Sequence, residues 1–142
     1  MFRYPVYGKA KSPIIPFRVL GKHGWKVVWA YVDSGASYSI LSVREAERLG
    51  LELREGRRIS VVVGNGERIP VYLFRLAIRI GELSFEGAMG FSEKLGVGFN
   101  LLGRKDVFER FRICFDERKG EIAFFPNRKG RGLPPLPNRR TT

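Results

Sequence analysis

Three aspartates occur in this 142-residue sequence, Asp33, Asp106 and Asp116, and one of them sits where an acid is hard to explain by solvation. Asp33 ends the apolar run VVWAYV (27–32) and is followed by Ser34, Gly35 and Ala36. A carboxylate at the end of such a strand is unfavourable to bury unless hydrogen bonds hold it. The small residues allow a tight turn, in which Gly35 can take backbone angles closed to other residues and bring its N–H to the carboxylate. Ser34 offers a hydroxyl as a further partner. An acid fixed in this way is ready for proton transfer. The same four residues also fit a plain Asx turn after a strand. Asp116 lies in the polar turn DERKG and Asp106 at an expected helix start, both ordinary places for the residue.

Other chemistries find less support. The single histidine, His23, lies in the turn GKHG, and no G-x-S-x-G elbow accompanies it, so a Ser–His–Asp hydrolase is not indicated. One His and one Cys do not make a structural zinc site, and no metal or other cofactor is expected. Cys114 falls in an alternating strand and reads as a small core residue. GFNLLGRK (98–105) has the glycine spacing of a P-loop but Arg-Lys where Lys-Ser/Thr is needed.

Short strands separated by turn signals must position these residues. Apolar patterning predicts strands over 14–20, 25–32, 58–63, 69–80, 83–91, 111–115 and 121–125. GKHG joins the first two, GNGE (64–67) makes a hairpin turn, and DERKG joins the last two. Ser42 with Glu45 has capping-box spacing, and Gly50 stands where a short helix would stop. A helical turn is expected over 106–111. Phe108, Phe111, Phe115, Phe124 and Phe125 read as core rather than as base-stacking platforms. The pattern is all-β, a small closed or nearly closed barrel with one or two short helices. Residues 1–126 are expected to form one domain, and 127–142 a basic, Pro-containing, disordered tail.

Composition narrows the setting. Apolar residues make up 44%, enough for a globular core. No apolar run nears the roughly 20 residues of a membrane span, and the N-terminus lacks a signal-peptide stretch. A lone cysteine suits a reducing compartment, so the cytoplasm is the expected location. Absent Gln and abundant Lys, Arg and Glu lean toward thermophile composition. The net charge is +12, of which the tail holds five basic and no acidic side chains. Such an excess attracts nucleic acid or acidic partners without specificity.

VDSGAS with its preceding apolar strand resembles the active-site stretch of the retropepsin-like aspartic peptidases, single-domain relatives of pepsin. Asn100-Leu101-Leu102-Gly103-Arg104 resembles that family's apolar-apolar-Gly segment before its terminal helix, and Gly64-Asn65-Gly66 falls at its flap hairpin. The likeness spans roughly residues 14–125 and implies an acid-protease-type barrel. It also implies that Asp33 is catalytic, that Ser34 and Gly35 fix it, and that Ala36 leaves room for substrate. Gly64, Asn65 and Gly66 would close over a bound peptide, and Leu101, Leu102 and Gly103 would pack beneath the catalytic loop.

That chemistry uses two aspartates sharing a proton, whereas the chain has one D-[ST]-G. The resemblance therefore implies a two-fold homodimer with Asp33 of each copy on the axis. Two carboxylates about 4 Å apart at an effective dielectric near 20 repel by about 4 kcal/mol, some three pKa units. The pair then titrates as a unit with one proton retained. Two departures stand out. Many retroviral members carry an acid where this chain has Ser37, so Arg104 needs another partner. The chain also continues through 111–125, so its terminal strands should be arranged differently from those that knit retroviral dimers.

Two functions follow. The first is a homodimeric aspartic endopeptidase acting on peptides or unfolded polypeptide. The second is a catalytically inactive basic β-barrel that binds nucleic acid or a protein partner. The intact DSGA favours the first.

Overall fold

The computed structural model of the chain describes residues 1–7, 10–95 and 99–127. Of the expected disordered tail, 127–142, all but Asn127 lies outside the described residues. In chain order the strands are β1 (Phe2–Arg3), β2 (Val6–Tyr7), β3 (Ala10–Lys11), β4 (Ile14–Gly21), β5 (Gly24–Val32) and β6 (Ile40–Ser42). After helix α1 (Val43–Leu49) come β7 (Arg57–Val62), β8 (Arg68–Ile80), β9 (Leu83–Ser92), β10 (Asn100–Leu102), β11 (Phe111–Asp116) and β12 (Glu121–Pro126).

Six of these close into a ring in the order β4-β5-β10-β6-β9-β8, sealed where Arg18 and Val19 of β4 meet Arg79 and Ile78 of β8. This is the all-β barrel that the strand pattern predicts. Inward-facing residues alternate along its walls: Ile15, Phe17 and Val19 on β4, Val28, Ala30 and Val32 on β5, and Ile78 and Ile80 on β8, all buried. Each such large side chain contributes roughly 1.5–3 kcal/mol on burial. Strand β8 is long enough to serve two ends: its second half closes the ring, and its first half carries β7 as a projecting hairpin.

The helix forms where predicted, but its expected capping box does not. The Ser42 side chain makes no cap hydrogen bond. The Ser42 N–H instead donates to Oδ1 of Asn100 at 2.8 Å, and Glu45 accepts from Asn100 Nδ2 at 2.9 Å. A partner 58 residues away has thus replaced the local one. Gly50 ends the helix at φ 74°, its N–H on the carbonyls of Ala46 and Glu47.

Three other expectations are corrected. The predicted helical turn is a single irregular turn over Arg104–Phe108, with Lys105 and Asp106 outside helical angles. Asp106 sits at φ 65°, a conformation that Asp tolerates better than most residues. Its carboxylate accepts the Ala88 N–H at 2.8 Å, which draws the turn onto β9. Cys114 is exposed, because β11 and β12 form a hairpin covered on one face only. Phe111 is buried in the core and Phe108 and Phe124 pack against it, whereas Phe115 and Phe125 are exposed. The terminal strands are arranged within one chain, as a three-stranded sheet β1-β12-β11. Sequence patterning gives no signal for β1, since two residues carry no period.

Candidate active site

Asp33 follows directly from β5, at the end of a parallel pair with β10. Leu101 lies opposite Tyr31, and Leu102 opposite Val32. The ladder extends one step further: the Asp33 N–H donates to the Leu102 carbonyl at 2.9 Å, so the residue's backbone is part of the barrel wall. The chain then turns sharply, with the Ala36 N–H donating to the Asp33 carbonyl at 3.2 Å. Within this turn the Gly35 N–H donates to Asp33 Oδ1 at 2.8 Å, as the sequence predicts. The reason for glycine differs from the expected one, since Gly35 is not among the residues with positive φ. A Cβ there would stand 3.2 Å from Asp33 Oδ1 and crowd the carboxylate.

A second layer supports the turn from below. Gly103 passes so close that a Cβ on it would lie 2.3 Å from the Tyr38 carbonyl oxygen and 2.8 Å from that of Ala36. Only glycine fits. Its N–H donates to the buried Ser39 hydroxyl at 3.0 Å, and the Ser39 carbonyl accepts the Gly90 N–H at 2.9 Å. The next two residues clasp the loop, Arg104 N–H donating to the Ala36 carbonyl and Lys105 N–H to that of Ser37, each at 2.9 Å. The Arg104 guanidinium reaches the Ser37 hydroxyl at 3.4 Å, a long contact where the resemblance had left it without a partner.

Above this floor lies a cleft of about 710 Å³. Asp33, Gly35, Ala36 and Leu101 line its base, and residues 61–65 of the β7–β8 hairpin lie across it. The hairpin tip is a tight loop: Gly66 N–H donates to the Val63 carbonyl at 2.8 Å, and Asn65 Oδ1 accepts the Glu67 N–H at 2.9 Å. Gly66 takes φ 86° there. The side walls are apolar and aromatic, with Tyr31 stacked on Phe99 at 5.1 Å between ring centroids.

The structure therefore gathers Asp33, Gly35, Ala36, Leu101, Gly64 and Asn65 around one cleft, with Leu102 and Gly103 directly beneath it. Gly66 shapes the hairpin without lining the cleft. Ser34 departs from expectation: its side chain is exposed, and among the described residues no hydrogen bond joins it to Asp33. Ser39, Tyr31 and Phe99 were not singled out from sequence. Tyr31 was findable, because it continues the outward alternation of β5 into the site, whereas nothing local marks Ser39.

A carboxylate turn at the end of a barrel strand, braced by an apolar-Gly segment and sharing its cleft with a hairpin, is the arrangement of a retropepsin-like aspartic protease fold. The profile of the aspartyl protease family matches residues 15–93, more than half of the chain, and the chain belongs to that family. Solved structures agree in fold. A retropepsin-like aspartic protease from Rickettsia conorii is 24% identical with a TM-score of 0.55, covering 72% of this chain and 75% of its own. The retroviral protease-like domain of Ddi1 from Leishmania major is 21% identical with a TM-score of 0.59, over 92% and 98% of the two chains. EIAV protease, solved with an inhibitor, is 19% identical with a TM-score of 0.51, over 70% and 88%. No curated protein matches the sequence significantly.

Proposed function

We propose that this chain is an endopeptidase that works as a homodimer, with Asp33 of each copy forming one catalytic dyad. The observation that carries the reading is Asp33 itself. Among the described residues it is the one acid lining the cleft, its Oδ1 is held by the Gly35 N–H, and residues 61–65 of the hairpin line the same cleft. A single carboxylate cannot both activate water and protonate the carbonyl, so a second copy has to supply the other. The exposed Ser34 hydroxyl beside Asp33 suits a surface that a second copy completes.

In the dyad the ionised carboxylate removes a proton from water as its oxygen attacks the peptide carbonyl carbon. The protonated partner gives its proton to the carbonyl oxygen, producing a neutral tetrahedral diol. Proton transfer to the amide nitrogen then lets the C–N bond break, and the shared proton is restored. The hairpin residues Gly64, Asn65 and Gly66 would move to admit an extended substrate and exclude water once it is bound. Apolar walls formed by Tyr31, Ile40, Val61, Phe99 and Leu101 favour apolar side chains on either side of the scissile bond.

The test joins assembly to chemistry. Sedimentation should give a dimer, and that dimer should cleave members of a broad peptide library with an acid-side optimum, with inhibition by pepstatin. A protein that is monomeric throughout, or a dimer that cleaves nothing between about pH 3 and 8, would overturn the proposal.

A further inference from the structure

Both tryptophans of the chain lie on the outer face of β5, and both are exposed. Trp25 is 42% and Trp29 52% exposed, with Val27 between them at 39% and Leu20 of β4 at 39% across from Trp25. Pro16 pairs with Trp29 and Arg18 with Val27, so the outward face of the β4–β5 hairpin holds five apolar side chains, one arginine and no acid. Single exposed apolar residues are ordinary; two indoles in one continuous stripe are not.

The stripe runs into the cleft. Tyr31, the next outward residue of β5, is a cleft wall stacked on Phe99. Phe99 also meets Tyr7 edge-on at 5.4 Å, and beyond it opens a groove of about 600 Å³ lined by the apolar Val6, Tyr7, Val27 and Trp29 and by the ion-paired Glu45 and Arg48. Phe99 thus belongs to both hollows and forms the ridge between them.

We infer that this groove is an extended binding site for the segment of a polypeptide substrate that flanks the part held in the cleft, selecting apolar or aromatic side chains. The inference rests on the peptidase reading above and adds the length and flanking chemistry of the substrate. Successive outward residues of a strand are about 6.8 Å apart. Trp29 therefore lies about 7 Å past Tyr31, and Trp25 about 20 Å past it. An extended peptide advances about 3.4 Å per residue. It would reach Trp29 two residues, and Trp25 six residues, beyond the one touching Tyr31.

Since Trp25 and Trp29 are the only tryptophans, intrinsic emission reports on this stripe, Trp29 within the groove and Trp25 beyond it. A cleaved peptide is extended by six residues on both sides, either with alternating Leu and Phe or with Gly and Ser. The Leu/Phe peptide should lower KM about tenfold relative to the Gly/Ser peptide with kcat little changed, and Trp29→Ala should remove that advantage. Trp25→Ala, the milder change, should remove part of it. Binding of the same peptides to the full chain carrying Asp33→Asn should shift tryptophan emission for the Leu/Phe flank only. That second arm needs no catalysis, so a chain that cleaves nothing loses the peptidase reading while emission still decides the groove. Equal KM for the two flanks, or binding that leaves emission unmoved, overturns the inference. It is equally overturned if emission shifts with protein concentration alone, as a second copy on the stripe would cause. Stronger displacement by a single-stranded oligonucleotide than by the Leu/Phe peptide does the same.

Discussion

Asp33 and Asp106 make an instructive pair, because each is an aspartate in an irregular turn next to a barrel strand, and each accepts one backbone N–H at 2.8 Å. Asp33 takes its N–H from Gly35, two residues on, inside its own turn. Asp106 takes its N–H from Ala88, eighteen residues away, and lies 3.9 Å from the Arg75 guanidinium. Asp33 is held within its own turn and lines the cleft. Asp106 is committed to pinning a turn onto β9. The residue type is the same, and the origin of the hydrogen-bond donor separates an acid held within its own turn from one that ties two distant segments together.

The largest effect should come from Asp33→Asn. It keeps the shape and the Gly35 contact but removes the ionisable group, so peptide cleavage should fall by at least about a thousandfold with thermal stability little changed. A variant that retains activity would place the chemistry elsewhere. Gly103→Ala tests the floor beneath that acid. The added Cβ would meet the Tyr38 carbonyl at 2.3 Å, and the backbone must shift. Denaturant unfolding should show a loss of roughly 1–3 kcal/mol, together with weakened activity even in the folded fraction.

Asp106→Ala sharpens the contrast from the other side. It strands the Ala88 N–H and should lower stability by about 1–3 kcal/mol while leaving the pH profile of cleavage unaltered. A changed pH profile would mean that Asp106 communicates with the site after all. The smallest effect concerns Tyr4, whose buried hydroxyl has no partner in hydrogen-bond geometry among the described residues. Burial first, and Glu117 second, push its pKa from 10.0 up to about 12. The folded chain then keeps this proton where the unfolded chain has lost it. Stability is whole below pH 10 and declines as pH rises from 10.0 to about 12. Tyr4→Phe should flatten that alkaline decline in melting temperature; an unchanged decline would assign it to other groups.

Much of the barrel was legible because its long strands alternate: β4, β5, β8 and β9 all fall close to where apolar patterning puts them. The Asp33 turn was legible for a related reason, since an acid ending an apolar strand contradicts its surroundings. Ser42 and Glu45 misled because their spacing is right for a capping box, but Asn100 outcompetes a local bond once β10 is in place. Cys114 and Phe125 misled because alternation says which residues share a face, not whether anything covers it. Asp106 looked like an ordinary helix starter, as the Ala88 N–H that captures it comes from a distant strand.

By itself, the order of residues determined which segments extend, where they reverse, and that one carboxylate ends an apolar strand beside a glycine. Those are short-range matters, set by side-chain period and by the backbone freedom of two or three neighbours. Only the closed barrel decided what lies under and over that carboxylate: Gly103 fitted against the Tyr38 carbonyl, Ser39 buried between β9 and β10, the hairpin across the cleft. It alone brought Phe99 between the cleft and the tryptophan stripe. Contacts of that kind join residues tens of positions apart, and no local preference encodes which distant partner will be near.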